Sequence, residues 1–181
     1  MASRVTGTGV EWYASVEHKF WWPTGISYGS NFVWVCDTFS DSSINPFIPN
    51  YGYGIVQKFL SDGTQGIVSF AAAEGKQLVH PWGVATDSTN SQVYVSDTEN
   101  HRVLLYDLNT SAFKKRVSTA GTTAGTGKGQ FNLCAGCGLD DGQNLYVVDG
   151  FNRRMQKNLS SGGGWIDAWD TNNLFNPLYT A

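Results

Sequence analysis

A single phrase, repeated along the chain, restricts the fold more than any bulk property does. Its fullest copy opens with Leu78-Val79-His80-Pro81-Trp82-Gly83-Val84-Ala85-Thr86-Asp87 and turns through a polar stretch over 88–92. It continues as Val93-Tyr94-Val95-Ser96-Asp97, then Thr98-Glu99-Asn100-His101, and ends in Arg102-Val103-Leu104-Leu105-Tyr106. Short apolar runs closed by polar or turn-forming residues are the pattern of short strands with tight connections. A unit this small cannot bury both of its faces, so it needs neighbours of its own kind.

The chain supplies them. Upstream, Phe20-Trp21-Trp22-Pro23-Thr24-Gly25-Ile26 is followed by Phe32-Val33-Trp34-Val35-Cys36-Asp37 and, after an insertion, by Ile55-Val56-Gln57-Lys58-Phe59. Downstream, Phe131-Asn132-Leu133-Cys134-Ala135-Gly136-Cys137 leads to Leu145-Tyr146-Val147-Val148-Asp149 and Gly150-Phe151-Asn152-Arg153-Arg154. A fourth copy opens at Phe175-Asn176-Pro177. Repetition on this scale, with several strands per copy, predicts an all-β chain folded as a β-propeller rather than a helical solenoid.

Each copy reads as a four-stranded blade: an innermost strand after the Pro-x-Gly turn, a second ending in Asp, a third near the Asn-x-Arg site, and an outer fourth. The expectation is one domain over 1–181, with blades over 20–72, 78–120 and 131–170 and the start of a fourth over 175–181. Residues 10–17 alternate Val10, Trp12, Ala14 and Val16 with polar neighbours, which predicts a half-buried strand. Its expected role is a latch that completes the last blade.

These residues carry a family resemblance. The consensus Phe-x-x-Pro-x-Gly-Val-Ala-x-Asp, then Leu-Tyr-Val-x-Asp-x-x-Asn-x-Arg, resembles the NHL repeat. The second copy follows it through Asn100-His101-Arg102. The third keeps Asp149, Asn152 and Arg154 but has Cys134 at the proline position, and the first keeps Pro23, Gly25 and Asp37 but has Ile55 at the arginine position. The resemblance implies a propeller used for protein and sometimes RNA recognition. Peptide-amidating lyases are built on similar repeats, and there the resemblance implies zinc held by histidines directly after the repeat proline. Here those positions hold Thr24, Trp82, Ala135 and Leu178, so no metal and no cofactor is expected.

Glycine is abundant at 21 of 181 residues and charge is sparse at 15%, as many short strands joined by turns require. Aromatic residues reach 14% with seven Trp, more than a minimal core uses, which directs attention to rings left for a ligand. A net charge of −3, with Lys114-Lys115-Arg116 as the compact basic run, argues against a nucleic-acid surface. No apolar run approaches a membrane span, and the first residues lack the apolar core of a secretory leader, a reading that favours a cytoplasmic protein.

Two motifs invite chemistry and fail on spacing. Residues 121–129 have the outline of a phosphate-binding loop, but Thr122 stands where a glycine is required and Gly129 where a Ser or Thr would bind magnesium. Cys134-x-x-Cys137 has no second Cys pair and no helix to follow it, so it reads as core.

In a blade of alternating strands, the loop entering the first strand and the loop between the second and third open on the same side. That topology collects Trp21, Trp22, His80, Trp82, Asn100, His101, Phe151 and Asn152 on one rim, joined by the insertion over 38–54, and the ligand-binding candidates are Trp22, Phe39, Tyr51, Trp82, Asn100, His101, Phe151 and Asn152. Long loops on a rigid scaffold often carry function. Asp37, Asp97, Arg102, Asp149 and Arg154 recur at fixed repeat positions and read as structural rather than catalytic.

The resulting expectation is a non-enzymatic binding or scaffold module for a protein partner, with a propeller lyase or lactonase and a carbohydrate-binding lectin as the alternatives. Three blades are too few to close a ring, so a homo-oligomer of two chains completing the propeller, or a longer chain, is also expected.

Overall fold

The computed structural model describes residues 5–7, 10–12, 20, 22–38, 54–62, 66–70, 72–160 and 164–169. In chain order the strands are β1 (Val5–Gly7), β2 (Val10–Trp12), β3 (Pro23–Gly29), β4 (Phe32–Asp37), β5 (Ile55–Leu60), β6 (Gly66–Phe70), β7 (Ala72–Ala73) and β8 (Lys76–Gln77). They continue with β9 (Pro81–Asp87), β10 (Gln92–Asp97), β11 (Arg102–Asp107), β12 (Phe113–Arg116), β13 (Cys134–Leu139), β14 (Leu145–Asp149), β15 (Arg154–Leu159) and β16 (Gly164–Trp169). A 3-10 turn, Thr98–Asn100, links β10 to β11.

Three antiparallel meanders, β3 to β6, β9 to β12 and β13 to β16, form the propeller blades, and their inner strands β3, β9 and β13 lie side by side. The all-β propeller expectation therefore holds. Each strand pair alternates its side chains between two neighbours. Trp34, Cys36 and Val56 of the first sheet meet Val84, Val93, Val95, Leu104 and Tyr106 of the second in one core. Val103 and Tyr94, pointing the other way from the second sheet, meet Leu145, Val147 and Cys137 of the third. The second sheet is thus covered on both faces, which is why Arg102 to Tyr106 are all buried.

The inner strands differ from the sequence reading in one recurring detail. Each begins at the marker residue itself rather than after Pro-x-Gly. The register places Pro23 opposite Asp37, Pro81 opposite Asp97 and Cys134 opposite Asp149, with an irregularity immediately after each pair. A proline is tolerated at the first residue of a strand, and the following x-Gly is absorbed as a bulge.

The latch expectation also needs correcting. β2 lies against β6 on the outer edge of the first sheet, with Trp12 opposite Phe70, and β1 pairs with β2. The outer edge of the first blade, with its unpaired backbone groups, accepts the N-terminal hairpin. Residues 13–17 and the fourth copy over 175–181 lie outside the described residues. The hairpin β7–β8 between the first two blades has no counterpart in the sequence reading.

Turns at the far end of the blades are closed by aspartates. Asp107 accepts the backbone N–H groups of Thr110 at 2.8 Å and Asn109 at 3.0 Å, and these with Lys114 hold its carboxyl down at about 2. Asp140 takes the side chain and backbone N–H of Asn144 and the hydroxyl of Tyr146, which hold it well below the carboxylate range.

Candidate functional site

The rim is built on a bracket repeated in each blade. Asp97, fully buried, accepts the backbone N–H of Val79 at 2.8 Å, the Asn100 amide at 2.9 Å and the Arg102 Nε at 2.6 Å. Burial pushes the Asp97 carboxyl up, and the guanidinium, the Val79 N–H and the Asn100 amide pull against it. Asn100 also donates to the Gln77 carbonyl at 2.8 Å, so the bracket fastens the loop entering the blade to the loop between its second and third strands.

Blade three reproduces the bracket. Asp149 accepts from the Asn132 N–H at 2.7 Å, from Asn152 at 3.0 Å, from Arg154 Nε at 2.8 Å and from Gln156 at 3.1 Å. In blade one the arginine position is Ile55, and Gln57, two residues on, donates to Asp37 at 3.4 Å while Trp22 N–H donates to the other oxygen at 2.7 Å. Gln57 and Gln156 occupy the same repeat position, a substitute donor that the sequence reading missed. Arg154 also donates to the carbonyls of Gly127 and Gln130, so the glycine-rich loop over 121–129 is a connection between blades two and three, tied down by its carbonyls.

With the brackets closed, Asn100 and Asn152 are committed to the loops that they fasten. His101 is committed as well: its Nδ1 accepts the backbone N–H of Leu133 at 3.0 Å, joining blade two to blade three. Burial holds its imidazole below its ordinary value, with Glu99 and Asp149 opposing the shift.

What remains open on the rim is a cavity of about 390 Å³ lined by Thr38, His80, Trp82, Thr98, Glu99, Leu133, Ala135, Gly150 and Phe151. All three blades contribute to it. Trp82 and Phe151 stand 45% and 67% exposed at its border, although large rings of this kind are ordinarily buried. The His80 Nδ1 lies 2.5 Å from a Glu99 carboxylate oxygen, placing one polar pair on an otherwise apolar wall.

Of the sequence candidates, the cavity brings together Trp82 and Phe151. Trp22 is exposed beside it but does not line it, and Phe39 and Tyr51 lie outside the described residues. His80, expected on this rim, lines the cavity, and so do Glu99, Thr98, Thr38 and Leu133, which had not been singled out. The loop positions before the marker and after the repeat Asp were the only signal available for them.

The three cysteines are reduced, and burial pushes each thiol up, that of Cys137 to about 12. Cys134 donates its S–H to the Arg102 carbonyl at 3.3 Å, filling the place of the repeat proline as a small core group. Among the described residues, no group of three His, Cys, Asp or Glu is arranged to hold a metal ion.

The fold is that of a β-propeller. Residues 78–105, the second blade, match the NHL repeat family. Among solved structures, the chain is similar to one titled "Crystal structure of Nidogen/Laminin Complex", with a TM-score of 0.57 and 16% sequence identity over 84% of this chain. It spans about half, 49%, of the length of that chain, and the likeness is one of fold. No curated protein matches.

Proposed function

We propose that the protein is a non-enzymatic binding module that captures a protein partner through the loop-rich rim, seating a bulky apolar side chain of that partner between Trp82 and Phe151. The observation that carries this is the apolar cavity bordered by two exposed rings. A cavity of this size fits one aromatic or leucine side chain, and exposed aromatic borders are the usual seat of interface hot spots. Thr38 lines the cavity, and the insertion that follows it in the sequence contains Phe39 and Tyr51. Two chains completing one propeller belong to the same reading.

The test is selection of peptides from a displayed random library, followed by binding to Trp82→Ala and Phe151→Ala. Selected peptides should share a bulky apolar residue, and both variants should lose at least tenfold in affinity with unchanged melting. Peptides that bind the variants as well as the wild type would remove this site. Glycan binding abolished by Trp82→Ala would favour the lectin alternative instead, since exposed rings also stack on sugars.

A further inference from the structure

We infer that the side chain seated in the rim cavity is a tyrosine of the partner protein, its ring held between Trp82 and Phe151 and its phenol hydroxyl bonded to the Glu99 carboxylate and the Thr98 hydroxyl. The inference rests on the protein-capture reading above and names the residue captured.

The cavity lies where the repeat departs from its own pattern. In blade one, the positions after the marker and after the repeat Asp hold Thr24 and Thr38. Their hydroxyls share a hydrogen bond of 2.8 Å, and Thr38 also donates to the Pro81 carbonyl at 3.0 Å. Blade two holds Trp82 and Thr98 at these positions, and blade three holds Ala135 and Gly150. With an indole in place of Thr24, the Thr98 hydroxyl has no counterpart to bond. Its Oγ1 is buried without a hydrogen-bond partner among the described residues, in a residue that lines the cavity. The small residues of blade three leave room in the same wall.

Glu99 follows Thr98 on the 3-10 turn and lines the same cavity. One of its carboxylate oxygens meets the His80 Nδ1, and the other takes no hydrogen bond from the described residues. Two adjacent residues therefore offer an open acceptor and an unpaired hydroxyl, set among Leu133, Ala135 and the two rings.

A polar group held out of water without a partner costs free energy until a ligand satisfies it, so this wall selects for chemistry as well as bulk. Phenylalanine and leucine leave both groups unmet. Tryptophan brings one donor and no acceptor. Arginine brings five N–H donors and lysine three, more than two open side-chain groups can take, and each would hold a charge with unmet donors against apolar side chains. A phenol matches the pair: its O–H donates to Glu99 while its oxygen accepts the Thr98 O–H. Its flat, rigid ring also loses little freedom on entering a slot bordered by two other rings.

The random peptide library, selected against the full chain, tests the inference. The residue shared by the selected peptides should be tyrosine, and exchanging it for phenylalanine should weaken binding at least about tenfold. The double variant Thr98→Val with Glu99→Leu should bind the tyrosine and phenylalanine peptides alike. Thr98→Val alone, which removes an unpaired hydroxyl and little volume, should melt no lower than the wild type; a lower melting point would mean that the hydroxyl is already bonded within the chain and would overturn its role here. Peptides that share phenylalanine or leucine instead, and lose binding to Trp82→Ala, overturn the tyrosine and leave the apolar-cavity reading in place. A shared arginine or lysine overturns both, as does a selection that yields no peptide dependent on Trp82. Peptides that bind only after Tyr51 and Tyr53 are both changed to serine would make the chain's own insertion the occupant and overturn a partner there.

Discussion

The ring nitrogen Nδ1 of His101 accepts the backbone N–H of Leu133 at 3.0 Å, so a left-handed residue at the end of the 3-10 turn in blade two holds the loop that enters blade three. The bond exists only while Nδ1 carries no proton. Burial keeps the folded imidazole below its ordinary value of 6.5, and Glu99 and Asp149 oppose it. As pH falls below that value, the unfolded chain takes up a proton before the folded one does, so stability is lost as pH falls until the folded imidazole protonates too. The size of the loss reports the gap between the folded and unfolded imidazole. Urea midpoints from pH 7.5 to 5 should show it in the wild type and lack this component in His101→Asn, which tolerates the same backbone conformation.

Arg102→Ala should be the most damaging single change in the brackets. It leaves the Asp97 carboxylate buried with its charge unpaired, at a cost of about 3–5 kcal/mol. Arg154→Ala should cost clearly less, because Arg154 is partly exposed and Gln156 continues to donate to Asp149. Chemical denaturation of the two variants checks the order. Equal losses would show that the guanidinium contacts to the loop carbonyls outweigh the pairing.

What the sequence made legible is what each blade requires of itself. Pro81 faces Asp97 across one strand pair, and Asp97, Asn100 and Arg102 close on one another within a single copy, so their spacing repeats and can be read. The cavity was only half legible because it lies between copies. Thr38 comes from blade one, His80, Trp82, Thr98 and Glu99 from blade two, and Leu133 and Phe151 from blade three, and residues at the same repeat position differ in type, as Thr38 and Thr98 agree but His80 and Leu133, or Glu99 and Phe151, do not. Gln57 escaped notice for a related reason: it takes over a role from a place two residues away, where copies one and three carry Gln but the fullest copy carries Leu104. The N-terminal strand was recognisable by its alternation, but alternation does not say which sheet edge a strand joins.

The repeat glycines make a prediction of their own. Gly83→Ala should destabilise the fold by about 1–3 kcal/mol, since its Cβ would overlap backbone atoms of β13 that cannot swing away. Gly136→Ala should be neutral or stabilise by about 0.5 kcal/mol, because an interior strand glycine is replaced and its Cβ meets nothing within 4 Å among the described residues. Thermal melting of the pair is sufficient. A large loss at Gly136 would mean that the position is covered within the chain's own fold.

Lys58 gives the last prediction. It is a buried lysine whose Nζ donates to the carbonyls of Leu108 at 2.9 Å and Asn109 at 2.6 Å and lies 3.6 Å from the centre of the Phe32 ring. Burial brings its amine down to about 8, against the pull of Asp107. Between that value and 10.5 the unfolded chain holds a proton that the folded protein has released, so stability should rise with pH across this window, on the order of 1 kcal/mol per pH unit. Below pH 8 both states are protonated and this contribution is flat. A carbon-13 NMR titration of the Lys58 side chain, alongside denaturation at pH 7.5 and 9.5, reads both effects. Titration at or above 10.5 would show instead that the two carbonyls and the Phe32 face hold the charge more strongly than burial opposes it, and Lys58 would then be a net fastener of blade one onto the β11–β12 turn.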